Sequence, residues 1–116
     1  MYTRKDYDRA VNEQINFCTD TLLRKRDEYA TEDVFHNFNV AAEILGVTPI
    51  EALGGMMVKH TTSIYDMITS NSGYTREMWR EKITDHINYL LILAAMIDAD
   101  VKKYETIGVV EMQDEF

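Results

Sequence analysis

Apolar positions recur at steps of three and four along most of the chain, the period of helices that each bury one face. The strongest run lies between Arg76 and Tyr104, where Trp79, Ile83, Ile87, Leu90, Ala94, Ile97, Val101 and Tyr104 predict a helix with one buried stripe. At about 1.5 Å per residue this helix runs roughly 45 Å, so the rest of the chain must pack along it. Thr75 supplies its N-cap, and Glu77 and Glu81 suit the positive end of its dipole. Upstream, Arg4 to Tyr29 reads as a first long helix with Tyr7, Val11, Ile15, Cys18, Leu22 and Lys25 on one face, widened by Ala10, Phe17 and Leu23. Asn37 to Leu45 carries Phe38, Ala41, Ala42 and Leu45 as a short helix, with Gly46 as its left-handed cap.

Thr48-Pro49-Ile50-Glu51 is the clearest helix start: Thr caps, Pro takes the first helical position and Glu completes a capping box. Leu53, Met56, Met57, His60, Ile64, Met67 and Ile68 continue this third helix to a stop before Ser70-Asn71-Ser72-Gly73. Gly54-Gly55 in its early turns lowers helix propensity and predicts a close approach by another helix or a ligand. No strand pattern competes. The expected fold is all-α, a four-helix bundle-like domain with three long helices and one short connecting helix. It occupies residues 1–108, with an acidic tail over 109–116.

A length of 116 residues suits one domain with a core, and 46% hydrophobic content is globular. Twenty acids against twelve Lys and Arg give a net charge of −8, which disfavours nucleic-acid polymers and anionic membrane surfaces as partners. Cys18 has no second cysteine to pair with, and beside Phe17 on a helical pattern it reads as a small buried hydrophobe in a reducing compartment, the cytoplasm. MYTRKDYDRA has no apolar signal region, and the longest apolar run, Tyr89 to Ile97, is too short to cross a bilayer.

A helical domain of this size places a site between helices, on inward polar groups. Glu81, Asp85 and Asn88 form a polar ridge at i, i+4 and i+7, while Lys59, Ser63 and Asp66 form a second one with His60 beside it. His36, Asn37, Asn39 and Glu43 come from the second helix. A Glu/Asp pair at helical spacing is what magnesium takes, with waters and substrate phosphates completing its shell. The same pair is also what a solvated helix face beside Arg80 and Lys82 presents. The basic cluster Arg24, Lys25 and Arg26 is most simply a helix C-terminal feature that suits the dipole, with a phosphate-facing role for one of these side chains as the sharper, secondary reading. Zinc is disfavoured, since three His and one Cys show no paired HxxH or CxxC spacing. Neither a nucleophile with a neighbouring His nor a Gly-rich phosphate loop is present in sequence.

The order LLRKRDEY, HNF, VKHTTSIYDMI and EKITDHINYLLIL resembles the all-α, MazG-like nucleotide pyrophosphohydrolases, in particular the phage nucleotide-modification-associated domains. The residues that carry this resemblance are Lys25 and Tyr29, Asn37 and Phe38, Lys59, and Glu81, Asp85 and Tyr89, across roughly Leu22 to Ile97. The resemblance implies a helical bundle that forms a homo-oligomer, dimer or tetramer, with a divalent-metal site of inward carboxylates and a nucleoside phosphate as ligand. The EExxE motif of the catalytic enzymes is missing here, and Lys82 follows Glu81 where a second acid would stand.

The expectation is a cytoplasmic, phage-encoded protein that uses Mg²⁺, with Mn²⁺ as substitute, to hydrolyse a nucleoside triphosphate to monophosphate and pyrophosphate. Glu81 and Asp85 are the expected metal ligands, with Asp66 or Glu51 as a further acid. Lys59 and His60 are the expected phosphate contacts, and Asn37, Asn88 and Tyr89 the remaining substrate contacts. The alternative keeps the fold and drops the chemistry, leaving a protein that binds or sequesters a nucleotide in counter-defence or pool regulation. A third possibility is an interaction module using Met56, Met57 and Met67.

Overall fold

The computed structural model describes residues 1–28, 32–70 and 72–106. It contains four α-helices: α1 (Arg4–Glu28), α2 (His36–Leu45), α3 (Pro49–Ser70) and α4 (Arg76–Thr106). Among the described residues there is no strand, and no single helix is long and apolar enough to cross a membrane. The acidic tail at 109–116 and Tyr29 lie outside the described residues.

Helix boundaries follow local chemistry. At the start of α3 the Glu51 amide donates to Thr48 Oγ1 and the Thr48 amide donates to the Glu51 carboxylate, both at 3.1 Å, which closes the capping box. Gly46 ends α2 at φ +69°, and its amide and that of Val47 both donate to the Ala42 carbonyl. Thr75 Oγ1 accepts the Met78 amide at 3.1 Å and starts α4. Before α1, Thr3 and Asp6 cap each other, and these hydrogen bonds hold the Asp6 carboxyl below its ordinary range.

α4 is the central element, with α1 and α3 each packed along it and α2 packed on α3. Gln14 of α1 meets Thr84, and Arg80 meets Phe17 and Glu13. His60 of α3 meets Tyr89, and Thr61 meets His86. Both neighbours therefore run antiparallel to α4. At about 100° per residue, Thr84 and His86 are roughly 200° apart and Arg80 and Tyr89 roughly 180° apart, so α1 and α3 grip opposite sides. They make no packing contact with each other.

This geometry corrects the expected core. Of the α4 stripe, Trp79, Ile83, Ile87 and Val101 are only half-buried, and Leu90, Ala94, Ile97 and Tyr104 are exposed. What α4 buries is Thr84, Asn88 and Met96. By helical angle, Ile83, Ile87, Leu90 and Ala94 fall in one of the two gaps between α1 and α3, while Glu81 and Asp85 fall in the other. The α1 face is similarly open: Tyr7, Val11 and Ile15 are exposed and only Cys18 is buried, as its small apolar character suggested. Among the described residues the apolar core comprises Cys18, Ala42, Ala52, Leu53, Met67 and Met96.

Gly54 and Gly55 do not admit a close neighbour within the chain, since a Cβ at either would meet no atom within 4 Å. Both have ordinary helical backbone, so their cost is the freedom they lose on folding. Gly55→Ala is expected to stabilise the protein by about 0.5–1 kcal/mol, read as a higher midpoint in urea. A lower midpoint would mean that the space at Gly55 is occupied in solution.

Candidate functional site

Where the C-terminal end of α1 faces the N-terminal end of α4, the structure has a cleft of about 540 Å³. That volume lies within the range of small-molecule sites. α1 contributes Phe17, Thr21, Arg24 and Lys25, and α4 contributes Arg76, Glu77, Arg80, Glu81, Thr84 and Asp85. The antiparallel pairing explains why the charges gather here. Lys25 lies in the last turn of α1, where a cation suits the dipole, while Arg76 and Arg80 open α4, where a cation opposes it.

Arg80 is held in place: its guanidinium lies 5.6 Å from the Phe17 ring centroid and 3.7 Å from the Glu13 carboxylate. Arg24, Lys25 and Arg76 have no carboxylate within ion-pair distance among the described residues. One wall is fixed by a buried polar pin, in which Gln14 Nε2 donates to Thr84 Oγ1 at 2.8 Å and approaches Cys18 Sγ at 3.3 Å. Thr84 is buried, so this bond sets the register of α1 on α4.

Glu77, Glu81 and Asp85 follow one another at i+4 and all line the cleft. Their spacing places them along one face of the helix, but among the described residues no three His, Cys, Asp or Glu side chains converge on a point that would hold a metal ion. Glu81 and Asp85 alone offer two carboxylates, which fits one magnesium ion completed by water and phosphate oxygens.

On the α3 side of the same ridge, the His60 ring stacks on Tyr89 at 4.6 Å and 34°, and Phe38 of α2 meets Tyr89 edge-on at 6.2 Å. Thr61 Oγ1 and His86 Nε2 are 2.9 Å apart. Burial pushes the His60 pKa below its ordinary value; Asp85 opposes this, and the positive charges of Lys59, Lys82 and His86 reinforce it. Burial, with the Asp85 charge, raises the Tyr89 phenol. Asp85 thus belongs to both groups, lining the α1 cleft and acting on the His60–Tyr89 pair.

The remaining candidates are dispersed. Lys59 is exposed next to His60, and Asn37 is exposed in the first turn of α2. Asn88 is buried, and its side-chain oxygen has no hydrogen-bond partner among the described residues. Asp66 stands at the level of Glu81 on α3, exposed, without converging on it. Glu51 is engaged in the α3 capping box, and the antiparallel register puts it roughly 20 Å along α4 from Glu81. Residues that line the cleft but were not assigned to a site from sequence are Arg76, Arg80, Glu77, Thr21 and Thr84. For the charged three the signal was the repeated i+4 spacing of 76/80 and 77/81/85, opposite in charge and interleaved on one helix start, whereas Thr21 and Thr84 carry no such signal.

The burial of the His60 ring has a direct readout. NMR titration is expected to give His60 a midpoint below 6.5, shifting further down in Asp85→Asn, where the one opposing charge is lost. Since the folded pKa lies below the unfolded one, this contribution to stability is present above pH 6.5 and fades as pH falls through the folded value. A midpoint above 6.5 would contradict the burial of the ring.

Comparison with known proteins finds no matching family model, curated protein or solved structure.

Proposed function

We propose that the chain binds a nucleoside triphosphate with one divalent cation in the α1–α4 cleft and hydrolyses it to monophosphate and pyrophosphate. One observation carries this reading. A protein of net charge −8 with twelve Lys and Arg brings four of them, Arg24, Lys25, Arg76 and Arg80, to the cleft that also holds Glu81 and Asp85. Cations aimed at one cavity suit phosphate oxygens, and the adjoining carboxylates suit the cation that accompanies a polyphosphate.

In this reading Arg24, Lys25, Arg76 and Arg80 bind and orient the phosphates, while Glu81 and Asp85 would hold Mg²⁺ or Mn²⁺. An ion held there would neutralise phosphate charge and help to orient the attacking water. Water adds to the α-phosphorus as the bond to the α–β bridging oxygen breaks, and the electron pair leaves with pyrophosphate. Glu77, one turn before Glu81, accepts the proton of the water. Arginine contacts to the leaving group stabilise its growing charge. The His60–Tyr89–Phe38 cluster, reached from the same ridge at Asp85, offers aromatic surface for the base. The buried lone Cys18 suits a reducing interior, the cytoplasm of a phage host.

A second reading, binding without turnover, is favoured by the fact that no third carboxylate converges on Glu81 and Asp85 among the described residues. Incubating the protein and Mg²⁺ with mixed NTPs and dNTPs, followed by mass spectrometry before and after denaturation, separates the two. Monophosphate and pyrophosphate are the products expected of the enzyme. A nucleotide depleted from solution and released intact would establish the binder, and an unchanged pool would sink both. Retained turnover in the double variant Glu81→Ala, Asp85→Ala would remove the mechanism.

A further inference from the structure

A second cavity, of about 150 Å³, lies roughly 20 Å along α4 from the α1–α4 cleft, where the starts of α2 and α3 face the C-terminal third of the long helix. Its lining grades from apolar to polar on the way out. Met96, 4% exposed, forms the floor; Phe35 and Ile50 are half-buried; Asn39 and Asp100 are exposed at the rim. An apolar cavity of about 150 Å³ takes up a body the size of benzene.

Both helix starts beside the cavity already hold an anion of their own. The Asp33 carboxylate accepts the Asn39 side-chain amide at 2.8 Å and the Phe35 backbone amide at 3.0 Å, and these bonds keep it below the ordinary carboxylate range. Glu51 is spent in the capping box of α3. An anionic ligand would therefore find the helix starts compensated. The rim instead offers acceptors. Asn39 Nδ2 is committed to Asp33, and no donor reaches the Asn39 carbonyl oxygen among the described residues. Asp100 forms no ion pair among the described residues, and no lysine, arginine or histidine lines the cavity.

We infer that this cavity binds a small organic cation, a primary ammonium carried on a compact apolar body. The body lies on Met96, Phe35 and Ile50, and the ammonium donates to the Asp100 carboxylate and the Asn39 carbonyl. An ammonium has three donors and no acceptor, the complement of this rim. An aromatic side chain in the wall, Phe35, adds attraction for a positive charge, and a net charge of −8 raises the concentration of cations near the surface. The site stands apart from the α1–α4 cleft, so it holds whether or not that cleft takes a nucleotide.

Methionine-methyl NMR of the full chain tests this, with benzylamine, protonated at neutral pH, as the probe. The Met96 methyl signal, identified by its loss in Met96→Leu, is expected to shift saturably at millimolar benzylamine. Benzyl alcohol, the same shape without the charge, is expected to bind about tenfold more weakly or worse, and benzoate not at all. Asp100→Asn is expected to reduce benzylamine to the level of benzyl alcohol, again a loss of about tenfold or more. Ala99→Leu, which puts a side chain that helices accept into the cavity wall, is expected to abolish both. Ala99 and Asp100 are exposed, so both variants are expected to keep wild-type helix content. An unmoved Met96 methyl, benzyl alcohol or benzoate binding as tightly as benzylamine, or undiminished benzylamine affinity in Asp100→Asn would each overturn the assignment.

Discussion

Exchanging Lys25 and Arg76 together for Glu is expected to weaken binding of a nucleoside triphosphate with Mg²⁺ by about a hundredfold or more. Each charge-assisted hydrogen bond to phosphate contributes roughly 1.5–3 kcal/mol, and reversal adds repulsion to the loss. These two positions are chosen over Arg80 because Arg80 also packs on Phe17 and pairs with Glu13, so its loss would disturb α1 as well. Lys25 and Arg76 have no carboxylate at ion-pair distance among the described residues, and both line the cleft. The helix content read by circular dichroism is therefore expected to stay unchanged. Binding measured by calorimetry at fixed salt checks the effect; wild-type affinity in the double variant would exclude the cleft as the phosphate site.

The helices were legible because their ends are decided locally. Thr48, Pro49 and Glu51 interact within one turn, Gly46 adopts the backbone that only its own missing side chain makes easy, and Thr75 needs only the amide of Met78. The stripe from Ile83 to Val101 was read correctly as apolar and incorrectly as buried within the chain. Periodicity reports that a face avoids water, not which element covers it, and the placement of α1 and α3 on opposite sides of α4 is a long-range property. The site divides along the same line. Glu81 and Asp85 are four apart on one helix, so their shared face was visible in sequence. Their nearness to Arg24 and Lys25 depends on α1 running antiparallel to α4, a choice made by Gln14 and Thr84 seventy positions apart. Glu51, by contrast, was recognisable at once as a capping residue, and its carboxylate is used there.

Leu53→Ala is expected to cost about 2–5 kcal/mol, the usual range for emptying a fully buried leucine site. Leu53 is 1% exposed in α3, near the level where α2, α3 and α4 border a cavity of about 150 Å³ lined by Phe35, Ile50 and Met96. Of the other buried apolar residues, Ala42 and Ala52 have side chains too short to fill a leucine-sized gap. Against a typical total of 5–15 kcal/mol, that loss is a large share, and the melting temperature should fall by roughly 10 °C or more. Thermal and urea melts followed at 222 nm check it, and a shift below about 1 kcal/mol would mean that the site collapses. Leu90→Ala is the informative comparison. In one chain Leu90 is half in water, so truncation removes little buried area and should cost well under the Leu53 value. A Leu90 variant as costly as the Leu53 one would mean that this side chain is covered in solution, and its midpoint would then depend on protein concentration.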